Sequence, residues 1–166
     1  SNSTIVNTMA DGTAIINEES GVFTVKSGTQ PTISGKGKGI SNSATFHHNG
    51  NGTVTGDTDN GIYNGSTGVL NVTGGVDVTG MQKPGISNAG TATISGMARV
   101  RSASKTALSN GKTGTCTISG KAKFQYLGGA IGTVKNKSIY NEGRLINYMS
   151  SNNNSVLQNG TFEISL

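Results

Sequence analysis

An apolar residue followed two places later by asparagine recurs through the chain. The pairs are Ile5/Asn7, Ile15/Asn17, Ile40/Asn42, Ile62/Asn64, Ile86/Asn88, Leu108/Asn110, Ile139/Asn141 and Leu157/Asn159. The four steps from Asn17 to Asn110 are 25, 22, 24 and 22 residues. The next two are 31 and 18, so the C-terminal part is irregular and points to an inserted loop. Around each pair the pattern repeats: a Gly-containing turn, an alternating strand, then Val or Ile, Ser or Thr, Gly, and a second alternating strand. A period near 22 built this way reads as coils stacked on one another.

Stacking explains how so polar a chain can fold. Gly, Ser, Thr and Asn make up 84 of the 166 residues, and hydrophobic residues only 32%. In a solenoid, every second residue points inward onto its equivalent in the next coil. Strands pair with the coils above and below, so backbone polar groups are satisfied without many large side chains. Ile, Val, Ala, Thr and Gly suffice for so narrow a core. Asparagine suits the corners, where stacked amides can hydrogen-bond between coils. The shortage of Ala, Leu, Glu and Lys excludes a helical bundle. The Val, Ile and Thr content argues against disorder. No apolar run approaches the roughly 18 residues that span a bilayer.

The expected fold is all-β, a right-handed parallel β-helix of six to seven coils of roughly 22 residues, in a single domain over residues 1–166. Residues 150–155 read as a low-complexity loop, and Thr161–Leu166 as a last strand without a polar cap. Uncapped solenoid ends invite edge pairing. That leads to the expectation of a segment of a longer protein, or of an end covered by a second copy through homo-oligomeric or end-to-end packing.

Three stretches, 61–75, 85–96 and 107–120, with weaker copies at 15–35 and 39–56, resemble the right-handed parallel β-helix repeats of bacterial surface proteins. The likeness covers roughly residues 14 to 124. It implies adhesin-like, cell-wall-anchored proteins and an extracellular location at the bacterial surface or wall. The same fold carries polysaccharide lyases, glycoside hydrolases and phage tailspikes, so it does not fix function. The lyase likeness makes calcium the one cofactor to consider; otherwise none is expected.

The net charge of +5 is unevenly spread. Residues 1–77 carry six acids and three bases; residues 78–141 carry nine bases and no acid; residues 142–166 carry two acids and one base. The basic stretch suits an acidic polysaccharide. It suits nucleic acid poorly, because no aromatics are interleaved as stacking platforms. Aligning the coils on each Ser/Thr-Gly step places Lys38, Asp59, Asp77, Arg99 and Lys123 in one outward column, with Lys36, Asp57 and Lys121 extending the same face. The small residues between them, Gly37, Thr58, Val76, Ala98 and Ala122, suit the inside. Asp57, Asp59 and Asp77 then have two readings. They form a carboxylate cluster able to act on a glycosidic bond or to hold calcium, or they form a surface ladder of ion pairs with bases in neighbouring coils.

Other chemistry-bearing residues are few. Tyr63 and Tyr140 face outward, where rings can stack on sugars. Phe46, Phe124 and Phe162 face the core. His47 and His48, adjacent in a strand, face opposite sides and cannot share one metal or one proton. Cys116, the single cysteine, reads as a small core residue without a disulfide partner. The Gly35–Gly39 stretch precedes a coil rather than a helix and so is no phosphate loop. The best-supported function is a non-catalytic cell-surface adhesin or stalk that binds glycans or host matrix through a lateral β-sheet face. Its candidate ligand residues are Asp57, Asp59, Asp77, Arg99, Lys121, Lys123 and Tyr63. The alternatives are a carbohydrate-active β-helix enzyme or a fragment of one, and a phage or filamentous component.

Overall fold

The computed structural model describes residues 2–127, 139–147, 156–158 and 161–164. Among them are twenty strands, numbered β1 to β20 in chain order, and they form a parallel β-solenoid with three sheets. The first sheet stacks β1 (Thr4–Asn7), β4 (Thr32–Gly35), β7 (Thr53–Gly56), β10 (Asp77–Gly80), β13 (Arg99–Ser102) and β16 (Lys123–Tyr126). The second stacks β2 (Ile15–Asn17), β5 (Ile40–Asn42), β8 (Ile62–Asn64), β11 (Ile86–Asn88), β14 (Leu108–Asn110), β17 (Ile139–Asn141) and β19 (Val156–Gln158). The third stacks β3 (Val22–Val25), β6 (Thr45–His48), β9 (Val69–Val72), β12 (Thr91–Ile94), β15 (Thr115–Ile118), β18 (Arg144–Asn147) and β20 (Thr161–Ile164). Equivalent positions Thr32, Thr53, Asp77, Arg99 and Lys123 recur every 21 to 24 residues. No helix among the described residues is long and apolar enough to cross a membrane.

The core is made of columns one side chain wide. Ile33, Val54, Val78 and Val100 stack in the first sheet, and Ile40, Ile62, Ile86 and Leu108 in the second. All eight are at most 1% exposed. Phe46, Leu70, Ala92 and Cys116 form the equivalent column of the third sheet. Burying each aliphatic chain contributes roughly 1.5–3 kcal/mol. Cys116 is thus an inert core residue, and burial pushes its thiol pKa up to about 12. Phe46 and Phe124 are also buried, as the sequence predicts.

Asparagine fills the inward position that ends the strands β2, β5, β8, β11, β14 and β17 of the second sheet. The Asn17 amide donates to Asn42 Oδ1 at 2.8 Å, Asn42 to Asn64 at 2.8 Å, Asn64 to Asn88 at 2.7 Å, Asn88 to Asn110 at 2.7 Å and Asn110 to Asn141 at 2.6 Å. Every bond of this ladder points the same way, from one coil to the next. Each amide also donates to corner carbonyls: Asn88, for example, reaches Gly90 O at 3.1 Å and Thr115 O at 3.2 Å. The ladder thereby fixes the turn into the third sheet. Gly90 lies in that turn because a Cβ there would come within 2.3 Å of Gly68 O.

Two of the predicted apolar-x-Asn pairs fall elsewhere. Ile5 and Asn7 belong to the first sheet, where Asn7 is in register with Gly35. In β19 it is Gln158, not Asn159, that is in register with Asn141, and Val156 rather than Leu157 that matches Ile139. Both replacements keep the sheet's logic, with an aliphatic residue first and a carboxamide third. Asn159, the predicted loop at 150–155, and Lys135 and Lys137 lie outside the described residues.

Replacing Asn88 by Ala is expected to lower stability by about 3 kcal/mol or more, because it strands Asn110 Oδ1 and two corner carbonyls in the core. Asn49→Ala, at the edge of a corner, is expected to change it by under about 1 kcal/mol. Urea unfolding of both variants is the check.

Candidate functional site

The charged residues do not form a single column. Asp77, Arg99 and Lys123 are in register at the first outward position of the first sheet, continuing from Thr32 and Thr53. Lys36, Lys38, Asp57 and Asp59 instead lie on the corners that follow β4 and β7, before the second sheet. The Ser/Thr-Gly steps belong to two different corners of the coil. Gly35 and Gly56 are in register with Gly80, at the end of the first sheet, whereas Gly74, Gly96 and Gly120 follow the third sheet. Val76, Ala98 and Ala122 are indeed fully buried just before the first sheet. Thr58 has no such role: it is part-exposed, and its hydroxyl bonds Lys36 O at 3.0 Å.

On the corner, each aspartate is held by a lysine of the preceding coil. Lys36 Nζ pairs with Asp57 Oδ2, and Lys38 Nζ with Asp59 Oδ2 at 2.8 Å. Partial burial alone would raise the Asp59 carboxyl. The hydrogen bonds from Lys38 and from the Asn60 N–H, with the charges of Lys38 and Lys83, outweigh it and hold the pKa below the usual carboxylate value. Lys38 Nζ also sits 5.9 Å from the centre of the Tyr63 ring, a cation–π contact. Tyr63 and Tyr140 occupy the outward middle position of their strands, with Ser41, Ser87 and Ser109 in the same column.

Asp77 stands apart from this corner. Arg101 grips it with two hydrogen bonds, Nε to Oδ1 at 2.8 Å and Nη2 to Oδ2. The three aspartates therefore form no shared carboxylate cluster, and they are tied up as ion pairs between coils. Such exposed pairs are worth about 0–1 kcal/mol each. Among the described residues no three of His, Cys, Asp and Glu come together. The calcium implied by the lyase likeness finds no ready donor set there.

Beyond Asp77 the outward face of the first sheet is cationic. Arg99 and Lys123 are directly opposed across β13 and β16, and Arg101 is opposed to Gln125. These four side chains line a shallow pocket of about 190 Å³. Lys121 lies exposed just before β16. Arg101 and Gln125 were not among the sequence candidates. Their signal was present in the i, i+2 spacing from Arg99 and Lys123, which puts them on the same face. A second pocket, about 290 Å³ and mostly apolar, lies at the N-terminal end between Ile5, Phe23 and Ile33.

The two histidines face opposite ways. His47 points outward, and its Nδ1 lies 3.2 Å from the Asn71 amide. His48 is fully buried in the column between Val25 and Val72, and neither ring nitrogen has a hydrogen-bond partner. Desolvation by burial outweighs the nearby Gly50 backbone and lowers its pKa to about 4, from 6.5 in an exposed imidazole.

His48 therefore stays neutral in the fold while the unfolded chain protonates first. Stability contributed above pH 6.5 is lost as pH falls from 6.5 to 4, by about 3 kcal/mol in full. His48→Val, matching its column neighbours, is expected to flatten that part of the pH profile. Thermal melts of both proteins at matched pH are the check, and parallel profiles would contradict it.

No protein-family model, curated protein or solved structure matches this chain, so its function rests on what its faces carry.

Proposed function

We propose that this chain is a non-catalytic part of a bacterial cell-surface protein, a stalk or adhesin outside the cell at the surface or wall. It offers a lateral β-sheet face to glycans or host matrix. The observation that carries the reading is the way the solenoid spends its side chains. The aliphatic columns and the ladder asparagines fill the inside, while most outward strand positions carry short hydroxyls and, at the C-terminal end of the first sheet, cations; the exposed aliphatics Val6, Ile16 and Val22 lie in the first three strands. Rows of donors and acceptors at the fixed strand spacing of about 4.8 Å suit the repeating hydroxyls of a saccharide chain. A face that is rigid before binding loses little entropy on binding.

The competing reading, a polysaccharide lyase or glycoside hydrolase, draws on Asp57, Asp59 and Asp77. It has less support. Those carboxylates are divided between a corner and a strand, each is bound to a base, and none of them lines either pocket described above.

Binding to a glycan array, paired with an assay for newly formed reducing or unsaturated ends on the bound polysaccharides, tests the proposal. Retention of selected glycans without cleavage is expected. Cleavage that disappears in Asp59→Ala would replace this reading with the enzymatic one, and absence of any glycan binding would overturn it.

A further inference from the structure

We infer that Arg99, Arg101, Lys123 and Gln125 form an anion seat, and that it takes the carboxylate or sulfate groups of an acidic polysaccharide lying across the first sheet, parallel to its strands. This rests on the glycan-binding reading above and names the ligand class and the place.

The first argument is electrostatic. Arg99 and Lys123 are like charges directly opposed on neighbouring strands, a destabilising arrangement. The one nearby carboxylate, Asp77, is in register with Arg99 yet is bound by Arg101. Among the described residues no other carboxylate pairs with Arg99 or Lys123. The sequence holds only two acids beyond Asp77, Glu142 and Glu163. Glu142 follows the second sheet and accepts from the Tyr140 hydroxyl at 2.6 Å, and Glu163 is in the third sheet. An external anion is the group that relieves this repulsion.

The second argument is shape. The four side chains enclose a pocket of about 190 Å³, large enough for one carboxylate or sulfate with part of its sugar ring. The Asp77 carboxylate holds Arg101 at one wall, so that arginine is oriented before any ligand arrives. The planar fork of Arg99, unlike that of Arg101, is not taken by Asp77 and suits two-point contact with such oxyanions, and Gln125 adds an amide for a sugar hydroxyl.

The third argument sets direction. Along the solenoid axis the column passes from Lys123 and Arg99 to Asp77 and then to Thr53 and Thr32, so an axial polyanion meets a carboxylate after two coils. Along the strands the cations continue: Arg99 and Arg101 share the outward face of β13, opposed by Lys123 and Gln125 on β16, and Lys121 lies just before β16. Neighbouring strands in a sheet lie about 4.8 Å apart. No outward position of the first sheet from β1 to β16 carries an aromatic ring; the one partly exposed ring there, Tyr126, sits at the inward register of Ser102, so the cations are not interleaved with stacking platforms and a polysaccharide fits better than a nucleic acid.

The test is calorimetric titration of the full chain with polygalacturonate, dextran sulfate, neutral dextran and a single-stranded oligonucleotide, repeated at two salt concentrations. Binding to at least one of the two acidic glycans is expected. Arg99→Ala and Lys123→Ala should each weaken it about tenfold, as for loss of a charge-assisted hydrogen bond, and should reduce its salt dependence. Lys112→Ala, which removes the same charge from a corner after the second sheet, should change it less than about twofold. Equal losses in all three variants would mean diffuse attraction and would overturn the seat. Tighter, Arg99-dependent binding of the oligonucleotide would overturn the ligand class. Binding of neutral dextran alone would overturn the seat but leave the glycan-binding reading standing, whereas binding of no glycan would remove both.

Discussion

The solenoid depends on a single buried interaction, the side-chain amide ladder from Asn17 to Asn141. Five hydrogen bonds of 2.6–2.8 Å join six coils and all run in one direction. Bonds aligned in this way polarise one another, and the dry interior makes each costly to leave unmade. The ladder does two things that the aliphatic columns cannot. It fixes register, because an asparagine one place out of step would leave buried donors and acceptors unpaired. It also ties each corner, since every amide holds carbonyls of the turn that follows.

With register and corners fixed from inside, the outward positions are free to vary. Coil-to-coil contacts on the surface are weak ion pairs such as Lys38–Asp59, which the fold does not need. The first sheet changes along its length from threonine and serine to arginine and lysine without any break in pairing. An interior of stacked columns thus supports an exterior whose chemistry can be set coil by coil. This separation lets Arg99 and Lys123 stand opposed on the surface without disturbing the interior.

Much of the fold was legible in the sequence, and the reason is physical. A buried asparagine beside a buried isoleucine has few stable settings, so Ile-x-Asn at a steady step marks stacked coils. Alternation also placed Phe46, Cys116 and the two histidines correctly. The charged column was not legible. Thr32-Ile-Ser-Gly35 lies in the first sheet, yet the same four residues recur at 93–96 and 117–120 at the end of the third. Their first three residues share one in-and-out pattern, with Thr outward and Ile buried in each, so hydrophobicity could not tell one sheet from another. The displaced pairs at Asn7 and Asn159 arose because Ile-x-Asn is informative only within the second sheet. The i, i+2 spacing puts Arg101 on the face of Arg99 and Gln125 on that of Lys123, and the register adds that the two strands are neighbours.

The most direct test of the central claim is hydrogen exchange of side-chain amides, followed by NMR. The Asn42, Asn64, Asn88 and Asn110 carboxamide protons are expected to be protected to the level of core backbone amides, because each is released only when coils separate. The Asn49 and Asn51 carboxamides, at an exposed corner, are expected to exchange as in a free peptide. Fast exchange at the four ladder positions, in a protein whose backbone amides remain protected, would contradict the claim that the amide ladder holds the coils in register.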